Sequence, residues 1–352
     1  MSDVNIYEMP RASISEDKAS GFAKPIATNK TPPPLIVCDA AELLTKELPP
    51  RSMLLSPWLQ SQSLSMIYAW RGIGKTHVAL GIAYALASGG EFLGWKAEIP
   101  VPVLYIDGEM PAVALRDRVA GIVVGAEREA QPGMLRFITP DLQLNGTMPN
   151  LSEADGQKAI DAVVGDARVI VVDNISCLVR GGKENEAEGW QPVADWALRQ
   201  RASGRSVIFI HHGGKNGQQR GTSKREDLLD TSILLKRPPD YRTDEGARFE
   251  VHFEKARALY GQDVTPFEAM LSTGADGKHV WTTRTVEQAA DAQMIELAEL
   301  GLNQVEIARE LGCNKSTVLR KLRKAEEVGR YKPKKKPKRD GYTTQLRGRE
   351  NE

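Results

Sequence analysis

Arg71-Gly72-Ile73-Gly74-Lys75-Thr76 sets two glycines, a lysine and a hydroxyl side by side. They lie between the apolar run Ser63 to Trp70 and the Ala/Leu-rich run Lys75 to Ser88. On a strand–turn–helix these residues form a phosphate cradle, a P-loop. The N–H groups of the turn and the helix N-terminus face the anion, Lys75 reaches the β- and γ-phosphates, and Thr76 offers its hydroxyl to Mg2+. The expected nucleotide-contacting stretch is Arg71, Gly72, Ile73, Gly74, Lys75, Thr76 and His77, with ATP and Mg2+ as ligands. The pattern G-x-x-x-x-G-K-[ST] asks for glycine at position 69, where this chain has Ala69. Alanine fits if that position needs no positive φ.

Further polar groups end apolar runs. Val169 to Asp173 (VIVVD) puts Asp173 where, with Thr76, it could hold a hydrated Mg2+. Val103 to Asp107 runs on to Glu109 (VLYIDGE). ATP hydrolysis needs a group to orient or deprotonate water. Glu109 is the candidate, and Asp107 competes for the role from the same turn. Phe209 to His212 places His212 where it could sense the γ-phosphate, ahead of a Gly-rich loop with Lys215, Arg220 and Lys224. That loop could grip a nucleic-acid backbone or could be merely solvated. Lys255 and Arg257 are two apart, so on a strand both point one way. Cations so placed suit a finger delivered to a neighbouring subunit's nucleotide.

The elements that must position these groups alternate. Short apolar runs spaced by helical stretches (Ala112 to Val124, Trp190 to Ala202) imply parallel strands covered on both faces. Beyond Asp230 the runs Thr231 to Lys236, Phe249 to Lys255, Phe267 to Leu271 and Val280 to Thr282 come closer together, as antiparallel edge strands do. The expected fold is α/β. The expected organisation is a disordered arm over 1–34, the P-loop domain over 35–285, a small helical domain over 286–330 and a basic tail over 331–352.

In the helical domain, Val305, Ile307, Ala308 and Leu311 read as one inner face, Gly312 as a turn, and Ser316 and Thr317 as the start of a second helix facing inward with Val318 and Leu322. That is a helix-turn-helix pattern, whose second helix could enter a major groove or contact a protein. Lys315, Ser316, Thr317, Arg320, Lys321, Arg323 and Lys324 are its expected DNA-facing residues. The 352 residues carry 47 Lys+Arg and 46 Asp+Glu, yet Lys315 to Arg339 alone has a net charge of +10, leaving −9 for the rest. A basic end on an acidic body suits contact with nucleic acid; a solubilising tail is the plainer reading. Cys38, Cys177 and Cys313 are too far apart for a disulfide framework or a Cys-rich zinc module. No run is long enough for a membrane span, and the polar N-terminus does not read as a signal peptide, so a cytoplasmic setting is expected.

With these motifs assembled, Leu35 to Thr285 resembles the RecA-like hexameric ATPases, specifically the plasmid replicative helicase RepA group. VLYIDGE is similar to the strand bearing that group's catalytic glutamate, VIVVDN to its Walker B strand, IFIHHGGK to its histidine motif, and Lys255-Ala256-Arg257 to its arginine-finger segment. The resemblance implies a RecA-like core and a ring, expected to be a hexamer, with ATP at each interface and single-stranded DNA through the centre. Catalytic roles fall to Lys75, Glu109, Asp173, His212, Lys255 and Arg257. Ala69 and the C-terminal helix-turn-helix depart from the plainest version of the group. The rival reading is an ATP-switched DNA-binding regulator that does not unwind.

Overall fold

The computed structural model describes residues 35–180, 187–213, 226–257 and 259–333. The expected loop cations Lys215, Arg220 and Lys224, the arm and most of the tail lie outside them. Residues 35–49 form one unit and the chain from Pro50 another. The first holds α1 (Ala40–Thr45). Its capping box is complete: Asp39 accepts the Glu42 N–H at 2.9 Å, and Glu42 accepts the Asp39 N–H at 3.2 Å.

From Pro50 the chain runs through the hairpin β1 (Met53–Leu55) and β2 (Leu59–Gln60), then β3 (Leu64–Ala69) and α2 (Lys75–Ser88). The short hairpin β4 (Glu91–Phe92) and β5 (Trp95–Lys96) follows, then β6 (Val103–Asp107), α3 (Ala112–Gly125) and β7 (Leu135–Ile138). Next come α4 (Ala154–Val163), β8 (Val169–Asp173), α5 (Ile175–Leu178), α6 (Ala187–Ala202) and β9 (Ser206–His212). Strands β10 (Thr231–Lys236), β11 (Arg248–Ala256), β12 (Phe267–Thr273) and β13 (His279–Thr285) lead into α7 (Val286–Glu299), α8 (Gln304–Glu310) and α9 (Lys315–Glu327).

Nine strands make one sheet in the order β13-β12-β11-β10-β3-β9-β8-β6-β7. The six strands from β10 to β7 are parallel, and β11, β12 and β13 extend the sheet antiparallel. Thr231 to Lys236, expected among the antiparallel strands, instead lies parallel beside β3, and the antiparallel run begins one strand later. The period of two in a strand separates two core layers. Val169 and Val171 of β8 face the layer built on α2, whereas Ile170 and Val172 face the layer built on α4 and α6. Buried on both faces, such strands must be apolar throughout. In the second layer Trp190 meets Phe209 edge-on at 5.2 Å between ring centres. Each large side chain buried there contributes about 1.5–3 kcal/mol.

Helix α2 has no polar face: every residue from Val78 to Ala87 is buried. It is covered by the sheet on one side and by α3, β4 and the extended strands on the others, and a helix so enclosed is apolar all round. The last three helices share their own core of Met294, Ala298, Ile307, Ala308, Val318 and Leu322. Val305, expected on the inner face, is 51% exposed; Ile307 and Ala308 take the inward positions. Among the described residues no helix is long and apolar enough to cross a membrane.

Candidate functional site

The first turn of α2 opens on a cavity of about 690 Å³ at the C-terminal ends of the parallel strands. In an open α/β sheet this edge is where ligands converge. Gly72 and Gly74 adopt φ of +75° and +123°, a conformation only glycine enters freely. At Gly74 a Cβ would also press to 3.2 Å from Phe249. Ala69 is ordinary strand, paired with His212 and Leu235, so the missing glycine costs the turn nothing. Arg71, Gly72, Gly74, Lys75, Thr76 and His77 line the cavity. The Ile73 side chain instead turns into the core, leaving only its backbone for a ligand.

Lys75 is 6% exposed, and its ammonium donates to the carbonyls of Ala69 at 3.1 Å and Trp70 at 3.2 Å. Burial pulls its pKa down to about 8, against the pull of Asp173 and Glu109 in the other direction. Asp173 is buried, which raises its pKa, while hydrogen bonds from Tyr105 and Thr76 and the charge of Lys75 oppose the shift. Tyr105 donates to Asp173 at 2.6 Å. Thr76 and Asp173 therefore meet with hard oxygen donors, which is what Mg2+ takes alongside phosphate oxygens. Together with a buried cation and outward N–H groups, the donor set fits Mg-nucleotide.

The turn after β6 separates the two acids that the sequence left in competition. Asp107 is 2% exposed and accepts the N–H groups of Met110 at 3.0 Å and Glu109 at 3.4 Å. Burial raises its pKa to about 6, with Asp173 adding to the effect. It caps the turn. Both acids line the cavity, but Glu109 is the more exposed, held by the Asn174 amide at 2.5 Å, with Cys177 Sγ at 3.8 Å and His212 Nε2 at 3.7 Å from its carboxylate. Burial and then Lys75 lower the His212 pKa, so the neutral ring is favoured beside Glu109. Asn174, Cys177 and Tyr105 were not singled out in the sequence. Asn174 follows Asp173 directly, a signal that could have been read, whereas Cys177 and Tyr105 are brought in only by folding.

Lys255 and Arg257 do point the same way, and both donate to the Asp227 carbonyl, Arg257 at 3.0 Å and Lys255 at 3.4 Å. They lie outside the cavity. Ala256 between them pairs with Thr231, which pairs with Ser65 at the start of β3; the P-loop leaves the other end of β3 at Ala69.

In α9, Lys315, Ser316, Arg320, Arg323 and Lys324 are exposed and Thr317 is half-buried. Lys321 is a correction. Its ammonium pairs with Asp291 at 2.5 Å and Glu287 at 3.2 Å, both on α7, and its side chain is 17% exposed. It ties α9 to α7 and is not free to face DNA.

This strand–P-loop–helix, with a strand-end aspartate on β8 one strand removed from β3, defines a P-loop ATPase. Residues 31–218, just over half the chain, match the family described as AAA domain, and the chain belongs to that family. Its mostly parallel sheet with antiparallel edge strands is the arrangement expected of a RecA-like core. Among solved structures the chain is similar to a KaiC-like protein from the hyperthermophilic archaeon Pyrococcus horikoshii. The identity is 17% over 65% of this chain and 93% of that one, with a TM-score of 0.42. It is also similar to the flagellar accessory protein FlaH from Methanocaldococcus jannaschii, at 12% identity over 64% and 91%, with a TM-score of 0.44.

Proposed function

We propose that the chain is a ring-forming ATPase that couples Mg-ATP hydrolysis to movement on DNA, as in the plasmid replicative helicase RepA group that it resembles. The hexamer, the DNA and the cytoplasmic setting all belong to this reading. Its main support is the position of Arg257. Strand β10 spans six residues, about 20 Å, and stands between Arg257 and the P-loop end of the sheet. No side chain bridges that distance, so Arg257 and Lys255 can reach a nucleotide only in another copy of the chain.

Within one copy the roles divide by geometry. The P-loop amides and Lys75 hold the phosphates, and Thr76 and Asp173 hold the cation. Glu109, steadied by Asn174, orients the attacking water, and His212 reports the γ-phosphate to the loop that follows it. Bound Mg2+ screens the phosphate charge. Charge developing on the phosphoryl group is then met from the next copy by Arg257, a contribution of about 10³–10⁵ in turnover where such fingers have been measured.

A second reading is favoured by a different observation. Lys315, Arg320, Arg323 and Lys324 form an exposed basic face on α9, the second helix of the pair joined at Gly312, where φ is +60°. In that reading α8 and α9 are a helix-turn-helix on duplex DNA and ATP only switches assembly. Steady-state ATPase activity with and without single-stranded DNA, for wild type and Arg257→Ala, separates the two. DNA-stimulated turnover that collapses in Arg257→Ala supports the motor. Slow turnover indifferent to DNA and to Arg257 refutes it and leaves the regulator.

A further inference from the structure

At one point in the fold the nucleotide cavity touches the strand that feeds the C-terminal helices. His77, which lines the cavity one residue after Thr76, meets His279 edge-on, with ring centres 5.9 Å apart at 63°. His279 is the first residue of β13. That strand ends at Thr285, which is also the N-cap of α7 and accepts the Gln288 N–H at 3.1 Å. No loop intervenes, so a displacement of β13 is passed to α7 without slack. Lys321, bonded to Asp291 and Glu287, then carries it to α9.

The same histidine is wedged against a second element of the cavity. A Cβ at Gly121 of α3 would lie 2.5 Å from His279 Nε2, and one at Gly125 would collide with the His279 carbonyl oxygen. Helix α3 begins directly after the Glu109 turn and supplies Arg118 to the cavity. Among the described residues Nδ1 of both His77 and His279 is buried without a hydrogen-bond partner. No hydrogen bond at Nδ1 fixes either ring, so the contact between them is one of packing. Two elements that hold nucleotide-contacting groups, α2 and α3, thus close on one side chain whose backbone leads out of the domain.

We infer that His279 is a positioning residue that transmits nucleotide occupancy from α2 and α3 through β13 to the helices α7 to α9. This rests on the nucleotide reading of the P-loop cavity and adds an output to it. Binding that reorders the first turn of α2 moves His77. The ring contact shifts His279, and β13 carries the change to α7.

The test uses the full chain with Mg-ADP. Calorimetry measures binding, and hydrogen exchange follows the amides of residues 286–327 with and without nucleotide, in wild type, His279→Ala and His279→Phe. In wild type, saturation changes exchange in α7 by about fivefold or more, the lower end of allosteric couplings. His279→Ala binds Mg-ADP within about threefold of wild type and loses the response. His279→Phe, which keeps a ring in place, retains it. Bound nucleotide with no exchange response in wild type overturns the inference even if the alanine variant fails to fold. A full response in His279→Ala, or none in a folded His279→Phe, overturns it too. No binding at all sinks the nucleotide reading and the inference together.

Discussion

Lys75 makes the sharpest prediction. Its ammonium is buried against two carbonyls, and burial pulls its pKa down to about 8. A polyphosphate on the P-loop brings negative charge to within a few ångströms and restores the charged form. Nucleotide binding above pH 8 must therefore take up a proton. With a pKa near 8, about a quarter of the free protein carries the proton at pH 8.5, so binding takes up about 0.8 proton there but only about 0.1 at pH 7. Above pH 8 the affinity falls toward tenfold per pH unit. Burial pushes the Asp107 carboxyl up to about 6 and the Cys177 thiol up to about 11, and pulls His77 down to about 4, so the comparison rests on the uptake at pH 8.5.

Calorimetric titration of Mg-ADP at pH 7 and 8.5, in two buffers of different ionisation heat, gives the uptake directly. The Lys75→Met variant should bind more weakly and show none of it. The same shift acts on folding with a definite sign. A lysine whose folded pKa is depressed binds fewer protons when folded, so its penalty, up to about 3 kcal/mol, is present below pH 8 and is relieved as pH rises from about 8 to 10.5. Zero uptake at pH 8.5 in wild type, or equal uptake in Lys75→Met, would refute the assignment.

Asn174→Ala should lower kcat about tenfold with little change in KM, because it frees Glu109 without touching the phosphate cradle; a change confined to KM in steady-state kinetics would count against that role. Arg248 is buried between Asp240, Glu245 and Glu268, all within 2.9 Å, so Arg248→Ala leaves carboxylates without their cation and should cost about 3–5 kcal/mol in urea unfolding. The double variant Arg320→Ala, Arg323→Ala should weaken DNA binding and reduce the salt slope by about 2, whereas Lys321→Ala should lower the melting temperature while leaving that slope unchanged. Equal slopes in fluorescence anisotropy for the two variants would remove α9 from the DNA interface.

The strand-and-turn part of the site was legible because its signals are local. Phosphate binding needs adjacent residues on one turn, and parallel strands buried on both faces announce themselves as VLYID and VIVVD. Strand β7 was missed because Leu135-Arg136-Phe137-Ile138 lies at the sheet edge, where half-burial admits an arginine and blurs the pattern. Thr231 to Lys236 was found but given the wrong neighbours, since one strand's composition does not state its direction. Lys321 was misjudged for a related reason: its two carboxylate partners lie 30 and 34 residues earlier in the chain, beyond any helix periodicity. Which of Asp107 and Glu109 caps the turn depended on which one accepted its backbone N–H groups, and both residue types suit either place.

The cavity has two flanks that belong to different parts of the sheet. Glu109, Asp173, Asn174 and His212 come from the ends of β6, β8 and β9. Gly246 and Ala247, with His77 and Arg118, form the other wall, on the side of β11 and β13. A bound nucleotide on the proposed reading would present its γ-phosphate to the first flank and its nucleoside to the second. Loss of the γ-phosphate would then act first on His212 and its loop, while departure of the diphosphate would act on α2, His77 and β13. On that reading the two events need not coincide.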